Sequence, residues 1–323
     1  MKAILIRQHG GPEVLQVETV DRPVPAAGQV LVKLQTAGVN FIDIYFRTGL
    51  YKADLPFTPG MEGAGVVEVV GEGVTEFVPG DRVAYAMTRG SYAQYALVPA
   101  ATLVKVPEGL DLDLAAAVML QGMTAHYLSH STFPLESKHT CLIHAAAGGV
   151  GALLVQMAKM RGARVIATVG TEDKAGIARK AGADEIILYK DQDFEAEARR
   201  MTNGAGVDVV YDSVGAATFH KSLNSLKPRG MMVTYGNASG PVPAIEPLLL
   251  STKGSLFLTR PTLASYNLTR DELLWRAGDV LRWVAAGTLK IDVFKRYPLA
   301  QAAQAHEDLA GRVSTGKLLL LVD

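Results

Sequence analysis

The chain has 323 residues, enough for two domains of ordinary size, each with its own core. Thirty-two Lys and Arg balance thirty-two Asp and Glu, so no global field draws the chain to nucleic acid or to an anionic membrane. The single cysteine, Cys141, excludes an intrachain disulfide and a multi-thiolate zinc site, and it lies in an apolar run where it reads as a small core residue.

The opening run from Met1 to Arg7 is too short for a signal peptide. No segment approaches about 18 uninterrupted apolar residues, so a cytoplasmic chain without membrane spans is the expectation. Residues 1 to 120 read as β-rich. Val30, Val32 and Leu34 alternate with Lys33 and Gln35, as they would on a half-buried strand. A second strand is expected over 63–70, closed by Gly71-Glu72-Gly73. Pro79-Gly80-Asp81 then turns the chain into a third strand over 82–85. Short strands punctuated by Gly and Pro point to a compact, barrel-like domain. Between the first two strands, residues 37–49 mix polar and apolar side chains and read as a loop that could carry a site. Capping and turn duties are the ordinary alternative for Asn40 and Asp43.

From residue 123 onward the texture changes to alternating strand and helix. The apolar run from Thr140 breaks at Ala145-Ala146-Ala147-Gly148-Gly149-Val150-Gly151 and reopens with Val150, Leu153, Leu154 and Met157 at helical spacing. That is strand, tight turn, helix. Ala146-x-Gly148-x-x-Gly151 aligns with the dinucleotide fingerprint, in which small residues let the backbone approach a pyrophosphate seated on free N–H groups at the helix start. The first Gly of that fingerprint is Ala here, and such turns also occur simply to pack a helix on a sheet. Further strands are expected over 164–169, 185–188, 207–211, 231–235 and 255–259, which with right-handed crossovers make a parallel sheet of six strands. Thr269-Arg270-Asp271-Glu272 reads as a capping box opening a helix that Gly287 stops. Residues 318–322 read as a terminal strand. The sheet domain is thus expected over 123–260, inserted in a first domain made of 1–122 and 261–323.

Several segments carry a family resemblance: Gly60-Met61-Glu62-Gly63-Ala64-Gly65, Pro79-Gly80-Asp81-Arg82-Val83, 145–151, 209–215 and Gly316-Lys317. Together they resemble the medium-chain dehydrogenase/reductase superfamily. Residues 38–45, 144–151, 170–174 and Thr259-Arg260-Pro261 are similar to its zeta-crystallin-type quinone oxidoreductase branch. The resemblance spans essentially the whole chain. It implies an α/β fold in which a Rossmann-type doubly wound parallel sheet is inserted in a β-rich GroES-like barrel domain, and it implies NADPH as cofactor and a quinone as acceptor.

Departures from the superfamily's zinc alcohol dehydrogenases bear on the chemistry. Asn40 stands where those enzymes place a zinc-binding Cys, and Met61 where they place a zinc-binding His. Glu62 alone makes no zinc site, and His126 and His130 at helical spacing read as packing or surface residues, so no metal is expected. Reducing an electron-poor acceptor needs no Lewis acid, only face-to-face rings and donors to the oxygen that gains charge. By resemblance, Asn40 and Tyr45 line the site near both nicotinamide and acceptor carbonyl, Asp43 orients their loop, and Tyr51 lies at the mouth.

The resemblance also assigns cofactor residues. Ala147, Gly148, Gly149 and Val150 belong to the pyrophosphate turn, and Gly170, Thr171 and Lys174 read the ribose and its phosphate. Tyr189 lies on the adenine side. Thr124, Ser213, Gly236, Asn237, Phe257, Thr259 and Arg312 complete the set. A short-chain dehydrogenase is excluded, because no Tyr is followed by Lys four positions on. Two alternatives stay open: an enal or enone double-bond reductase, and a cofactor-binding crystallin-like or RNA-associated protein without turnover. An apolar edge over 255–259 favours pairing into a homodimer.

Overall fold

A computed structural model of the chain describes residues 1–311 and 313–322. It divides into two compact units, Met1–Met123 with Asn267–Asp323, and Thr124–Tyr266. In chain order the first unit opens with β1 (Lys2–Leu5), β2 (Gln16–Thr19), β3 (Gln29–Val39), α1 (Phe41–Arg47), β4 (Glu62–Val70), β5 (Arg82–Ala86), β6 (Tyr95–Pro99), β7 (Val104–Lys105) and most of α2 (Leu112–Tyr127), whose last turn belongs to the second unit. The second unit holds β8 (Thr140–Ile143), α3 (Gly149–Met160), β9 (Arg164–Val169), α4 (Glu172–Ala181), β10 (Glu185–Leu188), α5 (Phe194–Met201), β11 (Val207–Asp212), α6 (Phe219–Ser225), β12 (Leu226–Thr234), α7 (Leu248–Thr252) and β13 (Phe257–Thr259). The chain returns to the first unit through α8 (Arg270–Ala285), β14 (Val293–Pro298), α9 (Ala302–Ala310) and β15 (Lys317–Leu321).

In the first unit the strands run in the order β14-β15-β3-β4-β5-β7, with β6 also on β3. All these pairs are antiparallel except β14 with β15. β3 slips register against β4 at Leu31/Val32 and at Leu34/Thr36, and such irregularities bend a long strand and let the sheet curve around a core. Val30, Val32 and Leu34 point into that core with Tyr85, Val98, Leu318 and Leu320, so the alternation legible in the sequence has its cause. The returning β15 lies antiparallel to the far end of β3, pairing Leu318 with Val39. This pairing makes the last residues of the chain neighbours of the segment around Asn40.

Residues 41–47 depart from the expected loop. They form the helix α1, with Asn40 extended at its N-cap (φ −138°) and the Asp43 carboxylate accepting the Asn40 backbone N–H at 2.8 Å. A carboxylate at the third helical position satisfies a backbone donor that would otherwise be orphaned, which stabilises the turn.

The second unit is a six-stranded sheet in the order β10-β9-β8-β11-β12-β13, every pair parallel. The order reverses beside β8, the strand that feeds the glycine turn. In open parallel sheets this switch point is where the carboxyl ends of the strands leave room for a ligand. Leu153, Leu154 and Met157 of α3 are buried, and Cys141 is a closed core residue whose thiol burial pushes up. One expectation is corrected: the last strand starts at Phe257 and not at Ser255, because Ser255 has φ +55° and breaks the extended run.

Candidate active site

Each unit gathers its own set of functional side chains. In the first, Asn40, Glu62, Gln121 and Lys317 form a buried polar cluster. Asn40 Nδ2 donates to Glu62 Oε1 at 2.7 Å, Asn40 Oδ1 accepts from Lys317 Nζ at 2.8 Å and from Gln121 Nε2 at 3.1 Å, and Glu62 Oε2 accepts the Leu120 backbone N–H at 2.7 Å. Lys317 also pairs directly with the Glu62 carboxylate, and neither side chain of that pair is exposed at all. Gly38 makes room for it: a Cβ at that position would fall inside the Glu62 carboxylate. The Asn40 side chain is therefore turned into the cluster.

A second chain of bonds holds α1 from below. Arg47 Nη1 lies 3.2 Å from His306 Nδ1, Tyr92 Oη lies 3.0 Å from His306 Nε2, and Tyr92 donates to Asp43 Oδ2 at 3.2 Å. Arg47 can only donate, so Nδ1 accepts and the imidazole proton sits on Nε2. Nε2–H then donates to Tyr92, whose own proton goes to Asp43. Burial and the Arg47 charge push His306 down to about 3, which keeps the ring neutral as this order requires. Burial pushes the Asp43 carboxyl up to about 7, against the pull of the Asn40 N–H and the Lys317 charge. One oxygen, Asp43 Oδ1, is buried without a partner among the described residues.

Tyr45 is expected near the acceptor carbonyl and Tyr51 at the mouth of the site. Their rings meet edge-on at 5.2 Å, and the Tyr51 N–H donates to the Tyr45 carbonyl at 3.0 Å. Both are half-buried. The first unit therefore brings together all four residues singled out for chemistry, with Asn40 and Asp43 fixed by buried bonds and the two tyrosines nearer solvent.

In the second unit the expected cofactor residues lie along one edge of the sheet, just past the carboxyl ends of β8, β9, β10, β11 and β12. Ala145 has φ +50°, and the Gly148 N–H donates back to its carbonyl at 2.8 Å, which closes the turn. A Cβ on Gly151 would strike that same carbonyl, so helix and strand can close only on a glycine. Gly148 caps α3 without a side-chain bond, leaving the first-turn N–H groups of 149–151 to receive an anion. Past β9, Thr171 caps α4 and accepts from the Lys174 N–H at 3.4 Å. Gly170 lies against Tyr189, whose Oη a Cβ would meet at 2.8 Å.

Ser213 packs against Gly236. The Asn237 amide, turned to suit its neighbours, donates to the Gly236 carbonyl at 2.9 Å and accepts from Arg260 at 3.2 Å. Thr124 is buried on α2, and Thr259 closes β13. Phe257 opens that short strand and does not follow it; it is 58% exposed. Arg312 lies outside the described residues.

Several residues of these networks escaped the sequence reading. His306 could have been found, since Ala302, Ala305, His306 and Leu309 share one helical face and the other three are apolar. His144 gives no signal of its own within the segment 144–151. Its Nε2–H donates to Ser222 Oγ at 2.9 Å, Ser222 donates to Asp212 Oδ2, and Thr168 faces Nδ1 at 2.8 Å, so one buried ring ties the ends of β9 and β11 together. Lys317 and Gln121 gave no local signal of a site.

Residues 26–108 match the alcohol dehydrogenase GroES-like domain family, and residues 149–273 match the zinc-binding dehydrogenase family. A quinone oxidoreductase of Pseudomonas aeruginosa is 44% identical over 322 residues, covering 99% of both chains. A 2-haloacrylate reductase of Burkholderia sp. is 45% identical over 329 residues, covering 99% of this chain and 98% of the relative. The crystal structure of Escherichia coli quinone oxidoreductase complexed with NADPH matches with a TM-score of 0.97 at 42% identity, covering 99% of this chain and 100% of that one. A GroES-like unit carrying a Rossmann-type sheet is the architecture of the medium-chain dehydrogenases and reductases. Within that superfamily, the chain belongs to the quinone oxidoreductase family.

Proposed function

We propose that the chain is a cytoplasmic, zinc-independent, NADPH-dependent quinone reductase. The carrying observation is the likeness to the NADPH-complexed E. coli quinone oxidoreductase along the full chain, together with an uncapped helix start after the glycine turn. Bound NADPH supplies the hydride. The N–H groups of 149–151 hold its pyrophosphate, Lys174 attracts the 2′-phosphate, and Tyr189 covers the adenine side. In the first unit, the Tyr45 phenol and the Asn40 amide donate to the acceptor oxygen as it gains negative charge. Asp43 holds the start of α1, and with it the backbone of Asn40.

A zinc ion does not suit the donors. Asn40 offers a carboxamide, Met61 a thioether, and the Glu62 carboxylate is already paired with Lys317. Among the described residues no group of three or more His, Cys, Asp or Glu is placed to hold a metal. No helix among them is long and apolar enough to cross a membrane. Phe257, on the short outer strand β13, is 58% exposed, which favours a second copy covering that edge.

Steady-state rates with NADPH and NADH over a panel of quinones, enones and 2-haloacrylate test the reading. Turnover of quinones with NADPH is expected. The identity with the 2-haloacrylate reductase favours one second reading, reduction of an activated carbon–carbon double bond, and faster turnover of that acceptor class would replace the first with it. Tight NADPH binding with no turnover on any acceptor would favour a structural role instead.

A further inference from the structure

The Glu62–Lys317 pair is closed to solvent on both sides. A buried ion pair is weak support for stability, because well-packed apolar residues of similar volume usually serve as well. What this pair does is grip one carboxamide from both ends. The carboxylate takes an Nδ2 hydrogen of Asn40, while the ammonium and the Gln121 amide both donate to Asn40 Oδ1. The grip fixes which way the amide faces, since exchanging its O and N would set hydrogens against the ammonium and a lone pair against the carboxylate.

The grip also changes the amide electronically. Two donors on a carboxamide oxygen, one of them cationic, draw electron density from nitrogen to oxygen and leave the N–H hydrogens more positive. A low local dielectric strengthens the effect. One Nδ2 hydrogen goes to Glu62, and the other is uncommitted among the described residues.

We propose that Lys317, assisted by Gln121, is a positioning residue that orients and polarises the Asn40 carboxamide, making its uncommitted N–H a stronger donor to the acceptor oxygen during hydride transfer. The inference rests on the quinone-reductase reading. Lys317 lends its charge through a neutral amide and does not meet the substrate. Such a donor gains most when the oxygen is anionic and little when it is an uncharged carbonyl, which is the difference that accelerates the reaction.

Two variants test it in the full-length chain: Lys317→Met, which removes the ammonium, and Gln121→Met, which removes a donor without stranding a charge. NADPH affinity and thermal unfolding report on folding, kcat and KM for one quinone on chemistry, and the side-chain amide resonances of Asn40 on polarisation. With NADPH affinity kept within about twofold, kcat should fall about tenfold in Lys317→Met and about threefold in Gln121→Met, with KM nearly unchanged. The Asn40 amide protons should move upfield in the same order. Should Lys317→Met not fold, Gln121→Met carries the test alone. Unmoved Asn40 resonances, or wild-type kcat in a folded variant, would overturn the proposal. A wild-type protein that reduces no quinone rejects the functional reading instead, and the resonances still decide whether the amide is polarised.

Discussion

Lys317 Nζ lies 2.8 Å from Asn40 Oδ1, although the two residues are 277 positions apart in the chain. The bond forms because β15 returns to the end of β3, and it places the most buried lysine of the first unit on a residue read as a donor to the acceptor. Several consequences can be measured.

Tyr45→Phe keeps the ring contact with Tyr51 and removes only the phenol donor. Quinone turnover should fall by up to about 100-fold, the loss expected for one oxyanion donor, with NADPH affinity unchanged. Asn40→Ala should lower turnover as well and also destabilise the fold by about 1–3 kcal/mol, because Gln121 loses its acceptor, Glu62 a donor and Lys317 one of its two partners. Stopped-flow oxidation of NADPH and chemical unfolding separate the two effects. Unchanged quinone kinetics in the double variant would remove both residues from the mechanism.

Lys174→Ala should weaken NADPH binding by about ten- to a hundredfold, the worth of one charge-assisted hydrogen bond, while NADH binding barely changes. Titration calorimetry with both cofactors reads this directly. Equal losses would assign Lys174 to the fold, and a wild-type preference for NADH would reject the phosphate reading.

Gly38→Ala drives a methyl group into the Glu62 carboxylate. Overpacking of this kind destabilises by about 1–3 kcal/mol, and here it also displaces the partner of Asn40 and Lys317. A lower unfolding midpoint is expected, together with reduced quinone turnover. A variant as stable as the wild type would mean the cluster is looser than its distances imply.

Asp43 and His306 make opposite contributions to the pH dependence of stability. With the Asp43 carboxyl raised to about 7 from an unfolded value near 3.9, the folded chain keeps a proton that the unfolded chain releases, so stability falls as pH rises from about 4 to 7. With His306 lowered to about 3 from about 6.5, the unfolded chain binds the extra proton, and stability rises as pH rises from about 3 to 6.5. Each slope is at most about 1.4 kcal/mol per pH unit, and in the wild type they largely offset. Asp43→Asn should expose the rising slope and His306→Gln the falling one, in urea unfolding across this range. Two single variants with flat profiles would contradict the assignment.

Exhaustive chelation should leave activity intact, and purified protein should carry no stoichiometric zinc by elemental analysis. Zinc lost in step with activity would overturn the zinc-independent mechanism.

Local order in the chain was enough for much of this. The alternation of Val30, Val32 and Leu34 marked a strand with one buried face, and small residues from 145 to 151 marked a turn into a helix, because side-chain period and missing Cβ atoms act within a few residues. The residues expected to hold the cofactor came from the family resemblance, and most of those in the second unit lie just past the ends of successive parallel strands. Helix α1 was missed because its seven residues are too few to show a period, and its start depends on the Asp43 carboxylate turning back on Asn40. The last strand was expected to start two residues too early because one left-handed residue, Ser255, breaks its extended run. The cluster around Asn40 lies beyond any local signal. A lysine before four leucines reads as the solvent-facing start of a strand. Only the pairing of Leu318 with Val39, across nearly the whole chain, turns its ammonium inward to Glu62 and Asn40. Period and propensity describe neighbours in sequence, whereas the burial of a charge depends on which distant partner the fold sets beside it.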